Sequence, residues 1–221
     1  MISANDVHIR HTRQAAAAFI IAAAATAIAG AVLFFGLQPT TELSEDMWRY
    51  PWESSGAFVM FSIFSAGLHA LVVAGLVAFG RSGSAGRSRA ATVGGALTVA
   101  GTAVLLAGEL VSIPVRNAES SDTSATVVGA VFGVGGTLST IGFLALGWAT
   151  LRARVWRGWR RFTPLATGAW LTAMAFLAAP SRLHGMVGVY GLCLLAMAAA
   201  LYTDPSPTEA AHVGEPRLQR A

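Results

Sequence analysis

Two ionisable side chains lie inside long apolar runs, where a charge is costly unless it pairs or meets water. They are His69, in Gly67-Leu68-His69, and Glu109, in Gly108-Glu109-Leu110. An imidazole and a carboxylate at such depth offer proton transfer, contact with a ligand, or a structural ion pair. Glu109 is the only acid within an apolar run. Arg116, beyond Pro114, and Arg182 and His184, at the start of the last run, lie near its level. The expected site is therefore Glu109 with Arg116, Arg182 and His184, either binding a ligand or forming an ion pair. His69 follows Gly56 by thirteen residues, about 20 Å of helix, whereas Glu109 precedes Ile113 by four, about 6 Å. That offset argues against direct pairing. It leaves His69 as a separate intramembrane polar residue, a neutral imidazole bonded to a neighbouring helix or else part of a proton relay.

Other chemistries lack their residues. There is no His-Glu-x-x-His, no Gly-x-Ser-x-Gly, no complete Gly-x-Gly-x-x-Gly and no lysine for a phosphate loop. Cys193 is the only cysteine, so no thiol cluster can form. A haem held by His69 and His184 fails because the two differ in depth by about 18 Å. No catalytic residue, metal site or cofactor is expected. An intramembrane enzyme is the least favoured function.

The elements that carry these residues are six apolar runs, 15–37, 56–80, 90–113, 126–151, 163–179 and 183–202. Each approaches the roughly 20 residues that cross a hydrocarbon core of about 30 Å. With 54% hydrophobic and 12% charged residues, the charges are confined between the runs. The fold class is all-α, a polytopic membrane bundle of six transmembrane helices over 15–202. Residues 1–14 form an N-terminal tail, and 203–221, rich in proline and polar residues, a disordered C-terminal one. Arg10 and Arg13 before an alanine-rich stretch resemble a signal peptide. The run continues through Leu37, however, longer than a signal core, which predicts an anchored helix.

The fifteen basic residues are all arginine. Twelve fall in the two tails and in the second and fourth connections; Arg49, Arg116 and Arg182 fall in the others, beside six acids. Because short arginine-rich loops stay inside, both termini are expected in the cytoplasm. A pI near 10.2 then points to a lipid bilayer with anionic lipids at its cytoplasmic face rather than to nucleic acid. Trp156, Arg157, Trp159, Arg160 and Arg161 read as the segment at that lipid interface. Thr163 and Pro164 fit an N-cap and first helical position. Gly129, Gly133 and Gly136 on the fourth run, and His184, Gly188 and Gly191 on the sixth, predict stripes where helix backbones touch. Residues 42–53, with four acids, Trp48, Tyr50 and Trp52, suit a strand or short helix capping the outer end.

Trp48-Arg49-Tyr50-Pro51-Trp52, Gly67-Leu68-His69, Gly108-Glu109-Leu110 and the run Trp156 to Leu165 resemble a group of small six-helix bacterial membrane proteins. The resemblance implies topology. That group has no assigned activity, so it carries no chemistry over. The function expected is a non-catalytic binding, sensory or accessory component of the cell membrane with an outward polar site. A small solute or proton-coupled transporter is the alternative. A membrane-protein partner or a second copy of the chain is open.

Overall fold

A computed structural model of the chain describes residues 4–177 and 179–203, with side chains from residue 11 onward. It holds six principal helices: α1 (Ala4–Val32), α2 (Ser55–Ser82), α3 (Arg89–Ser112), α4 (Thr123–Ala153), α5 (Thr163–Leu177) and α6 (Pro180–Tyr202). A π-helical turn, Leu33–Leu37, extends α1, and a 3-10 turn, Gly158–Phe162, precedes α5. Among the described residues the only strand pairing is an isolated bridge between Met47 and Glu119. The helical bundle agrees with expectation. Helix α1, however, starts at Ala4, well before residue 15. All but the first residue of the expected C-terminal tail lies outside the described residues.

Local chemistry sets the helix ends. Ser54 and Ser88 are extended, and their hydroxyls accept from the amides of Ala57 and Ala91, satisfying donors the first turn leaves open. Gly83, at φ 75°, ends α2 in the left-handed region that glycine enters without penalty. Thr163 is not an N-cap: its backbone is already helical and its hydroxyl donates to the Arg160 carbonyl. The preceding 3-10 turn has taken over the start of the helix.

Each helix packs against its sequence neighbours, and α6 closes back on α1, so the bundle is a ring of antiparallel pairs. One end carries the link 83–88, flanked by Arg81 and Arg89, and the arginine-rich link 154–162; the other carries the longer loops 38–54 and 113–122. Five helices, counting α1 from His11 through its π-helical extension to Leu37, are long and apolar enough to cross a membrane. Helix α5, at 15 residues, is about 22 Å long. It is shorter than the expected run 163–179 because it ends at Leu177.

The tightest pairings are α3 with α4 and α1 with α6. On α3 the contact residues are Gly94, Gly101 and Gly108, seven apart; a Cβ on Gly101 would lie 2.5 Å from the Ser139 amide nitrogen. Facing them are Gly135 and Gly142 on α4. The expected stripe Gly129, Gly133 and Gly136 is not this contact. Gly133 and Gly136 have no atom within 4 Å of a built Cβ, and Gly129 meets only the Trp48 ring at 3.9 Å. The reason is angular: those residues lie on another face of α4 from Gly135 and Gly142, and tertiary packing chose the latter. On α6 the expected stripe does pack, with Gly188 and Gly191 against Ala27 and Gly30 of α1.

The large buried side chains gather toward the arginine end, where Phe19, Phe79, Phe143, Leu146, Leu194 and Met197 fill the ring. Trp156 belongs to them. It is 2% exposed and sits edge-on to Phe79 at 5.1 Å between centroids, so it is a core residue and not part of the interface segment. Arg154, at φ 56°, ends α4 and turns the chain back beneath the core, which carries Trp156 inward. Trp159 is 56% exposed, Arg157 is exposed, and Arg160 and Arg161 are partly so.

Candidate functional site

The side chains able to do chemistry meet on α2 and α3. Ser65 and His69 are one turn apart on α2 and share a face. The His69 ring donates from Nδ1 to the Ser65 carbonyl at 2.9 Å, and the Ser65 hydroxyl donates to Glu109 Oε1 on α3 at 2.9 Å. His69 Nδ1 lies 4.0 Å from the same carboxylate oxygen. One residue thus holds both partners, its carbonyl fixing the ring and its hydroxyl fixing the acid.

Direct approach of His69 and Glu109 runs against the depth argument, for two reasons. Helices α2 and α3 share a level at their short link, 83–88, and not at their far ends. Counted from there, His69 is thirteen residues from Ser82, about 20 Å, and Glu109 twenty from Arg89, about 30 Å. The true backbone offset is nearer 10 Å than 14 Å. Side chains also lean toward the N-terminus of their helix. As α2 and α3 are antiparallel, His69 leans toward the loop end and Glu109 toward the arginine end, closing the gap.

The expected basic partners do not gather on Glu109. The Arg116 guanidinium donates from Nη1 to the Ile113 carbonyl at 2.9 Å, capping the end of α3. Arg182 is exposed in the first turn of α6, and His184 is partly buried with Nδ1 lacking a hydrogen bond. Helix α6 packs between α5 and α1, across the ring from α3. Similar depth therefore did not mean proximity. Among the described residues His69 is the only basic side chain within 4.0 Å of the Glu109 carboxylate, and the two form an ion pair only when the imidazole is protonated.

The side chains of His69 and Glu109 are 20% and 17% exposed, so the pair is neither sealed in the core nor open. Chemically it can hold or pass a proton, or offer a carboxylate and a serine oxygen to a small cation. The Ser65 hydroxyl donates to the carboxylate and not to the imidazole, so the three residues do not form a Ser–His–acid relay. Sequence reading missed Ser65. Its signal was the spacing Ser65-x-x-x-His69, which places a hydroxyl and an imidazole on one helix face.

The loop end is closed by residues 42–53, which form turns where a strand or helix was expected. The Trp48 amide donates to the Ala118 carbonyl and the Ser120 amide to that of Asp46. Arg49 and Ser55 both donate to Asn117 Oδ1, tying the first loop to the loop after α3. The Trp52 ring packs on Phe61 of α2 at 4.9 Å and Trp48 faces Phe132 of α4 at 6.4 Å.

No family model, curated protein or solved structure matches the chain.

Proposed function

We propose that the chain is a six-span component of the cytoplasmic membrane, non-catalytic, with both termini inside, belonging with the small six-helix bacterial proteins its motifs resemble. Its outward half carries a proton- or cation-binding site formed by Ser65, His69 and Glu109. The observation that carries this reading is the approach of His69 to Glu109 across α2 and α3, Glu109 being the only acid in helices α2 to α6. A carboxylate kept at such depth implies use, because an alanine or leucine there would fold at lower cost. The ring of antiparallel pairs, in which α5 connects the arginine end of α4 to the loop end of α6, supports a reading of six crossings, one more than the five helices long and apolar enough to span.

Infrared titration of the Glu109 carboxyl in the intact protein and in His69→Gln tests the site. If the two groups share a proton or a cation, removing the imidazole changes the titration; an unchanged curve removes the pair from the reading. A proton-coupled carrier is the second reading, favoured by the partial exposure of both side chains. Proteoliposomes carrying a pH-sensitive dye separate the two. Proton flux abolished by Glu109→Gln establishes the carrier, and no flux with an intact titration leaves the binding component.

A further inference from the structure

A second site lies at the arginine end, where the link between α2 and α3 meets the end of α4. A groove of about 350 Å³ runs there between Arg87 on one side and Arg152 and Trp148 on the other, over a floor that includes Ala90, Ala149 and Ala153. Its position is built into the backbone. Gly86 takes φ 75°, and a Cβ on it would lie 2.9 Å from the Cβ of Ala153, so the link is drawn against α4 and the groove opens beside the contact.

The charge in the groove is unspent. Neither Arg87 nor Arg152 has a carboxylate partner or a hydrogen bond among the described residues; Arg152 is placed by its stack on Trp148, 4.8 Å from the ring centroid. Residues 81–91 and 145–163 contain no acid at all. Two guanidinium groups facing one groove, with no carboxylate partner among the described residues, can hold one anion between them. The rest of the lining says which kind. The floor is alanine, and Trp148, one turn inside Arg152, is 53% exposed along the flank of α4. A ligand lying along this path is anionic at the end of the bundle and apolar beside the helices.

We infer that the groove between Arg87 and Arg152 binds the phosphate headgroup of an anionic membrane lipid, with the start of its acyl chains against Trp148 and the alanine floor. The inference rests on the membrane reading above, but not on the Ser65, His69 and Glu109 site. It differs from a diffuse attraction of arginines to an anionic surface because it assigns one place, separate from Arg157 and Arg160.

The test is native mass spectrometry of the full chain released from nanodiscs of mixed phosphatidylglycerol and phosphatidylcholine. Three proteins are compared: the parent, Arg87→Gln with Arg152→Gln, and Arg13→Gln with Arg81→Gln, exposed arginines outside both the groove and the 156–161 segment, as an equal charge loss elsewhere. At about a factor of five for each guanidinium–phosphate hydrogen bond lost, the groove variant should retain phosphatidylglycerol about thirtyfold less well. The control should retain it within about threefold of the parent. Equal losses in the two variants, or none in either, overturn the site; insertion of all three into nanodiscs keeps the membrane reading intact in that case. Glycerol 3-phosphate in solution is the second arm. If it displaces the lipid at a comparable concentration, the groove recognises a soluble phosphate and the lipid assignment falls. Retention of the lipid against a large excess supports it. Unchanged circular dichroism of Arg87→Gln with Arg152→Gln shows that the loss is one of binding.

Discussion

Alanine at Gly101 and alanine at Gly133 should change stability in opposite directions, although both add one methyl group to a glycine inside a helix. At Gly101 the new Cβ would lie 2.5 Å from the Ser139 amide nitrogen and 2.7 Å from the Gly135 carbonyl oxygen. Ordinary contact needs about 1 Å more. Both obstacles are backbone, so no rotamer change relieves them and α3 must part from α4. A gap of that size forfeits a quarter to a half of each van der Waals well along the seam, at about 0.1–0.2 kcal/mol per atom pair. Over some tens of atom pairs this comes to about 1–3 kcal/mol, the range measured for overpacked cores. At Gly133 nothing lies within 4 Å of the added methyl, which brings only the helix preference of alanine over glycine, up to about 1 kcal/mol. Unfolding of the two purified variants in mixed micelles, followed by circular dichroism, should place Gly133→Ala at or above the parent and Gly101→Ala below it. A reversed order, or two indistinguishable curves, would refute the assignment of the α3–α4 seam to Gly94, Gly101 and Gly108.

Trp156→Ala should cost about 3–5 kcal/mol in the same unfolding assay, since it empties a buried site against Phe79, whereas Trp159→Ala, at an exposed position, should cost under about 1 kcal/mol. Glu109→Gln keeps the shape of the site and a partner for the Ser65 hydroxyl, so stability should change by less than about 2 kcal/mol while the response of the site to protons is lost; a larger loss of folding would make the pair structural. Asn117→Ala removes the acceptor shared by Arg49 and Ser55, and faster proteolysis of the 38–54 loop, with unfolding of the bundle little changed, is expected. Reporter fusions at the C-terminus and within residues 38–54 should read inside and outside respectively, following twelve arginines against three; a C-terminus outside would overturn the topology.

Much of this molecule is legible from single residues and their neighbours. Apolar runs bounded by arginine and serine give helices at 55–82, 89–112 and 123–153 with errors of a few residues, because span length and capping are local matters. The ionisable pair was also legible as two separate anomalies, His69 and Glu109, since a charge in an apolar run is visible without knowing its surroundings. Tertiary structure alone decided what those residues touch. Depth counted from the ends of runs failed because α2 and α3 are level only at their short link, and because antiparallel helices lean their side chains toward one another. Depth also says nothing of azimuth, so Arg182 and His184, near the right level, stand across the ring from Glu109. The glycines show the same division. Helical spacing is a property of the chain, and α4 carries small residues on more than one face; which face meets α3 depends on the helix opposite, where Gly94, Gly101 and Gly108 set the register. Trp156 was drawn into the core by the left-handed turn at Arg154, a conformation that arginine does not announce. Residue type and order determined the elements and their ends, which rest on contacts within a turn or two. Pairing, burial and the make-up of the site rest on contacts between distant segments, whose rotation about their own axes is settled only when all six helices pack together.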